Sequence, residues 1–300
     1  MNIIQTMSIV CGNKACDAEC PFCISKQTGN QPTKCITFES NRRNFQIATD
    51  YAKQSGVTSI LLTGVGEPTL FPEYIEDVLR DLHTRNLEIN FPFKELQTNG
   101  IRMAKGELDE ELQRWYHLGL TTISLSVCHY SYQFNRDIYT PNGEYLDLAK
   151  LIKKLRDIGY LVRLCVMGMK GGIDSVDKVK YLIEYSKGFK ISPDDIGIQL
   201  TYRRITKPEH TTCDDEITDW VNEHYINDMD WDVIHAWVER RGTLLMNLMH
   251  DAKIWDIDGQ NLCISTCLTE DPDPDKIRQV IFGNDGHLRY SWQHRGAILL

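Results

Sequence analysis

Apolar residues fall into two alternating patterns over the first two thirds of the chain. Short apolar-rich runs at residues 3–10, 57–62, 88–97, 121–127, 161–167 and 196–200 read as strands. Between them lie stretches with helical spacing. Phe45, Ala48 and Ala52 follow a cap at Asn41 and precede a stop at Gly56, and Leu148, Leu151, Ile152 and Leu155 precede Gly159. Further helices are expected at 72–83, 109–117 and 175–186. Six strand–helix units in series predict an α/β protein with a parallel sheet and helices outside it, either an open doubly wound sheet or a partial barrel. In both, ligands gather at the strand C-termini.

Beyond about residue 205 the texture changes. Acidic Asp214-Asp215-Glu216 leads into a Trp-rich helical stretch at 231–250, then Cys263 and Cys267, then a turn or linker at Asp271-Pro272-Asp273-Pro274-Asp275. A hairpin over 278–292 is expected to turn through Asn284-Asp285-Gly286. These features divide the chain into a core at 1–208 and a C-terminal extension at 209–300, helical and then a hairpin. Trp220, Trp231, Trp237 and Trp255 read as residues that pack the extension against the core, not as a stacking platform.

Composition narrows the function classes. In 300 residues, 42% hydrophobic and 25% charged, no apolar run approaches the ~18–20 residues of a membrane-spanning helix. Lys and Arg number 33 against 42 Asp and Glu, a net charge of −9, which lacks the basic footprint of a charge-driven nucleic-acid binder. Ten cysteines fall well below the ~8–10% of a disulfide scaffold, and residues 1–4 do not open a signal peptide. Reduced thiols in the cytoplasm are the expectation.

Those thiols are unevenly placed. Cys16, Cys20 and Cys23 form CxxxCxxC in the loop after the first strand, close enough to converge on one inorganic centre with one coordination position left open. The alternative is a non-enzymatic zinc or iron–sulfur binding module with four cysteines, Cys11 being the fourth. Placement after strand one of a six-unit array favours a functional centre. After the second strand comes Thr63-Gly64-Val65-Gly66-Glu67-Pro68-Thr69, whose glycines permit close backbone approach and whose carboxylate suits an ammonium. Gln97-Thr98-Asn99-Gly100 ends the third strand. Ser124 and Ser126 share one face of the fourth.

Taken together, and in this order, these motifs resemble the radical S-adenosylmethionine (SAM) enzymes over about residues 4–205. The resemblance implies a partial (β/α)6 TIM-like barrel. It implies that Cys16, Cys20 and Cys23 hold a [4Fe–4S] cluster whose unique iron is chelated by SAM, and that Phe22 contacts the SAM adenine. Gly64, Gly66, Glu67 and Pro68 resemble the segment that binds the SAM amino group, although Val65 separates the glycines. Asn99, Ser124 and Ser126 fall at further SAM-contacting positions. A one-electron reductant such as flavodoxin or ferredoxin is then implied, together with reductive cleavage of SAM to a 5′-deoxyadenosyl radical. That radical would abstract hydrogen from a small-molecule, nucleotide or peptide substrate.

Other residues carry two readings each. Arg163 is a charge in an apolar strand and needs a partner, either a SAM or substrate carboxylate or a structural acid such as Glu67. His129 is a substrate or acid–base group, or a hydrogen-bonded structural residue. Tyr202, Arg203 and Arg204, placed after strand six, either meet a substrate anion or form a solvated face. Cys263 and Cys267, with Cys213 as a conceivable third ligand, distantly resemble an auxiliary-cluster domain, although Tyr290-Ser291-Trp292 stands where such domains often have another cysteine.

Overall fold

The computed structural model describes all residues except 1–3, 28–36, 193, 208–214, 249–251, 266–276, 278, 293 and 295. Its elements run β1 (Thr6–Val10), α1 (Ile24–Gln27), α2 (Phe38–Gln54), β2 (Ser59–Thr63), α3 (Pro72–Thr84), β3 (Phe93–Thr98), α4 (Ile101–Ala104), α5 (Asp109–His117) and β4 (Thr122–Val127). There follow α6 (Tyr132–Tyr139), α7 (Leu148–Ile158), β5 (Leu161–Gly168), α8 (Val176–Lys187), β6 (Gln199–Arg204), α9 (Asp215–His224) and α10 (Asp228–Arg241). The chain closes with β7 (Thr243–Asn247), β8 (Lys253–Ile257), β9 (Gln260–Ile264), β10 (Gln279–Phe282) and β11 (Leu288–Arg289).

Local chemistry sets the helix ends. Asp147 caps α7 by accepting from the Lys150 amide, Leu148, Leu151, Ile152 and Leu155 bury its apolar stripe, and Gly159 ends it at φ 116°. α2 begins at Phe38, three residues before the expected cap. Asn41 is instead buried within it, donating to the Asn284 carbonyl at 3.3 Å.

Strands β1 to β6 pair in sequence order and all in parallel, with helices in the connections, the partial (β/α)6 barrel of the α/β class. The C-terminal third adds to both edges of this sheet. β10 lies parallel to β1 with β11 folded back on it, and β9 lies parallel to β6, followed outward by β8 and β7. The 231–250 stretch is helical through Arg241 alone, after which Thr243–Asn247 turns into a strand. The expected hairpin through Asn284-Asp285-Gly286 is present as β10–β11.

The two faces of the parallel strands differ in chemistry. Met7, Ile9, Ile60, Leu62, Leu96, Ile123, Leu125, Val162 and Leu164 join the main apolar core. Glu95, Gln97, Ser124, Ser126, Arg163, Cys165, Gln199 and Arg203 alternate with the core positions and face the barrel interior.

Candidate active site

The three cysteines lie on the loop between β1 and α1, beyond the C-terminal end of β1, and four other segments hold this loop in place. The Glu67 amide donates to the Ala15 carbonyl at 2.8 Å, and the Glu19 amide donates to the carbonyl of Tyr139 at the end of α6 at 2.8 Å. Asn99, following β3, donates its side-chain amide to the Asp17 carboxylate at 2.6 Å. Lys26 of α1 donates to the carbonyls of Glu19 and Cys20, and Gln27 to that of Phe22. Gly66 is required by closeness: a Cβ there would stand 2.1 Å from the Ala15 carbonyl oxygen and 2.6 Å from that of Asn13.

Cys16 is exposed and Cys20 and Cys23 half-buried. Burial pushes the Cys16 thiol up to about 11, with the neighbouring Glu67, Asp17 and Cys23 adding to the effect. Burial, then the charges of Cys23, Cys128 and Cys16, pushes Cys20 up further. Thiols arranged to repel one another's charge are matched by a cationic centre, which favours the thiolates. Among the described residues no three His, Cys, Asp or Glu side chains gather tightly enough for one metal ion. Three thiols on one short loop, each able to take its own iron with a fourth iron left open, are the donor set a cubane accepts, so these residues fit that group.

Cys11 is not part of this set. Its side chain is fully buried in the apolar core with Met7 and Ile9, its thiol directed at the Ile9 carbonyl at 3.7 Å. The four-cysteine module that needed Cys11 is therefore corrected: alternation along β1 turns that thiol into the core, away from the loop.

Glu67 is 3% exposed, and both carboxylate oxygens are engaged. One accepts from the Thr69 amide at 3.0 Å and from the hydroxyls of Thr69 and Thr98 at 2.6 Å each; the other accepts from the Asn99 amide at 2.9 Å. The carboxylate thus braces the loops after β2 and β3, and burial raises its pKa despite these donors. Val65 packs with Val10, Ile281 and Trp292, which accounts for a side chain between the glycines. Pro68 opens a short 3-10 turn capped by Glu67. At Gly64 a Cβ would meet the Gly66 carbonyl oxygen at 2.8 Å.

Inside the barrel Ser124 and Arg163 stand in register on adjacent strands. Arg163 pairs with Glu95 at 2.5 Å, not with Glu67, and donates to Gln199 at 2.9 Å through Nη2 and 3.2 Å through Nε. Gln97 donates to the other Glu95 oxygen at 3.2 Å. Arg203 donates to the Cys165 sulfur at 2.7 and 3.2 Å.

All four expected substrate residues have structural partners. Tyr202, Arg203 and Arg204 lie within β6, not after it, so they point to alternate faces. Tyr202 is fully buried on the core side and donates to the Ile173 carbonyl at 2.8 Å. Arg204 pairs with Asp228 at 2.6 Å and lies over the Tyr225 and Trp231 rings. At His129, Nδ1 accepts from the Ser131 amide at 2.9 Å, and burial, reinforced by Lys178, lowers its pKa. Cys263 is half-buried on β9 opposite Thr201, whereas Cys213 and Cys267 lie outside the described residues.

Phe22 is 9% exposed, with Tyr139 edge-on at 6.3 Å and Trp220 inclined at 6.1 Å. Sequence reasoning missed Asp17 and Tyr139 as supports of the cysteine loop. Helix α6 carried a readable signal: Ser131 precedes it, and Asn135 and Tyr139 recur four apart on its buried side.

A strand-end loop of three cysteines, braced by a GxGEP segment at the next strand and opening on a polar barrel interior, defines a class. The chain belongs to the radical SAM superfamily, whose family model matches residues 12–185. Among curated relatives, proteins of Chlorobium phaeobacteroides and Pelodictyon phaeoclathratiforme, each named "Probable dual-specificity RNA methyltransferase RlmN", are 28% and 27% identical over 183 and 184 residues. Each match covers 58% of this chain, and 48% and 49% of the relatives, so the chain is matched to about half of their length. Among solved structures, SuiB of Streptococcus suis bound to its precursor peptide SuiA is similar at TM-score 0.56 and 14% identity. That likeness covers 96% of this chain and 59% of SuiB. HydG, a maturase of the [FeFe]-hydrogenase, is similar at TM-score 0.54 and 15% identity, over 77% of this chain and 48% of HydG. Both likenesses concern the fold. Among the described residues no helix is long and apolar enough to cross a membrane.

Proposed function

We propose that Cys16, Cys20 and Cys23 hold the [4Fe–4S] cluster that this superfamily uses. SAM is then held by the loop backbone at Gly64–Gly66, by Asn99, and by Ser124 and Ser126 inside the barrel. A bound cluster supplies the electron for reductive cleavage of SAM, the source of the hydrogen-abstracting radical. The observation that carries this reading is the bracing of the cysteine loop by Ala15–Glu67, Asp17–Asn99 and Glu19–Tyr139, which fixes it over the polar interior before any ligand arrives.

The residues of the chain divide the work. Gly66 lets two loops approach, Glu67 fixes the loops after β2 and β3, and Asn99 joins the second of these to the cysteines. Glu95, Gln97, Arg163 and Gln199 form a hydrogen-bonded belt across β3, β5 and β6 that holds the polar wall facing a substrate. Trp292 and Val65 cover the interior beside β1 and exclude water there.

The proposed substrate is a small molecule, nucleotide or peptide that presents a C–H bond to this wall. The names of the curated relatives bring RNA within range, and a net charge of −9 supplies no overall attraction for it. Anaerobic reconstitution with iron and sulfide, reduction, electron paramagnetic resonance with and without SAM, and assay of 5′-deoxyadenosine test the chemistry. A SAM-dependent change in the cluster signal with deoxyadenosine formed is expected. A cluster indifferent to SAM overturns it.

A further inference from the structure

Just past β1, Gly12 opens the three-cysteine loop. It is buried, whereas Lys14, Ala15 and Cys16 are exposed, and it adopts φ 83° with the Phe71 ring filling the space where a Cβ would stand. The pairing of β1 with β2 closes at Val10 and Thr63, and the Cys11 amide still donates to the Thr63 carbonyl at 2.7 Å. The Gly12 carbonyl thus lies beyond the strand ladder, and a buried carbonyl needs a donor. That donor comes from 272 positions away: Asn284 Nδ2 donates to it at 2.5 Å.

Asn284 stands in the turn between β10 and β11 and is fully buried. Asn41 of α2 donates to its carbonyl at 3.3 Å, and Asn44 of α2 donates to the Gly286 carbonyl at 3.1 Å. Arg289 closes the same turn on the two Asp285 oxygens at 2.8 and 2.6 Å. Asn284 therefore joins the root of the cysteine loop to α2, the helix that follows that loop in the chain. Among the described residues its Oδ1 has no hydrogen-bond partner. Burying half an amide unpaired is costly, and a residue kept for packing alone would be apolar. The donor half sets the orientation, because exchanging O and N would bring two oxygens face to face at 2.5 Å.

We propose that Asn284 is a positioning residue for the cluster: from the last hairpin, outside the six strand–helix units, it fixes where the cysteine loop leaves the sheet and how firmly that loop holds iron. This rests on the cluster-binding function proposed above. Asn284 acts through the Gly12 backbone and not as a ligand, so the C-terminal extension becomes part of the cluster site by bracing it.

The test uses the anaerobically reconstituted full chain and follows iron release to bathophenanthroline disulfonate, the electron paramagnetic resonance of the reduced cluster, and thermal melting of the metal-free chain. Asn284→Leu keeps the volume and removes the donor. Asn41→Ala leaves the donor in place and loosens its support, whereas Asn44→Ala loosens the turn without touching Asn284. Loss of one buried hydrogen bond predicts iron release about tenfold faster in N284L. About threefold is expected in N41A and a rate within about twofold of wild type in N44A. The resonance of the reduced N284L cluster shifts as well, which uniform weakening of the fold does not produce. N284L with wild-type iron release and resonance overturns the role while leaving the cluster intact. Iron release that merely tracks the loss of melting temperature across the variants also overturns it. Where N284L fails to fold, N41A decides, and wild-type release there overturns the role. A wild-type chain that assembles no cluster overturns the underlying function and this role together.

Discussion

The Ala15 carbonyl oxygen lies 2.1 Å from where a Cβ on Gly66 would stand, so the cysteine loop and the loop after β2 meet backbone to backbone. Backbone cannot swing aside as the end of a flexible side chain can. Gly66→Ala must separate the two loops and weaken the Glu67 amide to Ala15 carbonyl bond of 2.8 Å. We expect a stability loss of about 1–3 kcal/mol, as for overpacking elsewhere, in a chain that still folds. Iron bound after reconstitution should fall to a small fraction of wild type, measured by iron and sulfide analysis. Full iron loading would show that the cysteine loop does not depend on this contact.

Cys11 and Cys16 are five residues apart and have opposite surroundings, the first fully buried in the core and the second exposed on the loop. Cys11→Ala is expected to leave iron content at the wild-type level and to cost about 1 kcal/mol through a small cavity. Cys16→Ala is expected to abolish the cluster absorbance with little change in thermal stability of the metal-free chain. Loss of iron in the Cys11 variant would return that thiol to the ligand set.

Arg163 and Glu95 form the charged centre of the interior belt, with Glu95 8% and Arg163 35% exposed. Removing one partner leaves the other charge poorly solvated. Arg163→Met should therefore destabilise by about 1–3 kcal/mol, moderated by the partial exposure of the arginine. Arg163→Met with Glu95→Met should recover part of that loss, because neither charge then remains. Urea unfolding of the two single variants and the double variant measures it, and purely additive losses would mean the pair is not coupled.

Much of the barrel was legible because it rests on local rules. Residues 109–117 and the helix ahead of Gly159 appear with their expected ends, since their apolar stripes and stop residue act within a few positions. The cysteine motif and the GxGEP segment were legible as motifs, but their mutual contact was not, because Gly66 and Ala15 meet only after two strands have paired. Glu67 shows the same limit: a carboxylate after glycines invited a ligand role, and the Thr98 and Asn99 partners 31 and 32 positions away give it a bracing one. Strand β6 begins three residues later than the apolar run implied, which moved Tyr202 from a loop to the core. Helix α6 was missed although Ser131 and the Asn135–Tyr139 spacing signal it, because a buried side of only two residues, one of them polar, is a short stripe.

Asp195 offers a pH-dependent test of the turn that aims β6. Its carboxylate accepts from the Ile191 amide at 2.8 Å, the Gly197 amide at 3.0 Å and Arg156 at 2.6 Å. The two amides, followed by the Arg156 guanidinium, hold its pKa down to about 2 from the usual 3.8. A depressed carboxylate pKa stabilises the fold fully above the unfolded value and loses that contribution as pH falls through the folded one. Asp195→Asn keeps one acceptor and turns an NH2 toward donors, so it should cost about 1–2 kcal/mol at pH 7. The gap between wild type and variant should stay constant down to about pH 4 and narrow between about pH 4 and pH 2. Urea unfolding of both proteins across that range measures the gap, and a gap independent of pH would mean that the charge on Asp195 does not hold the turn.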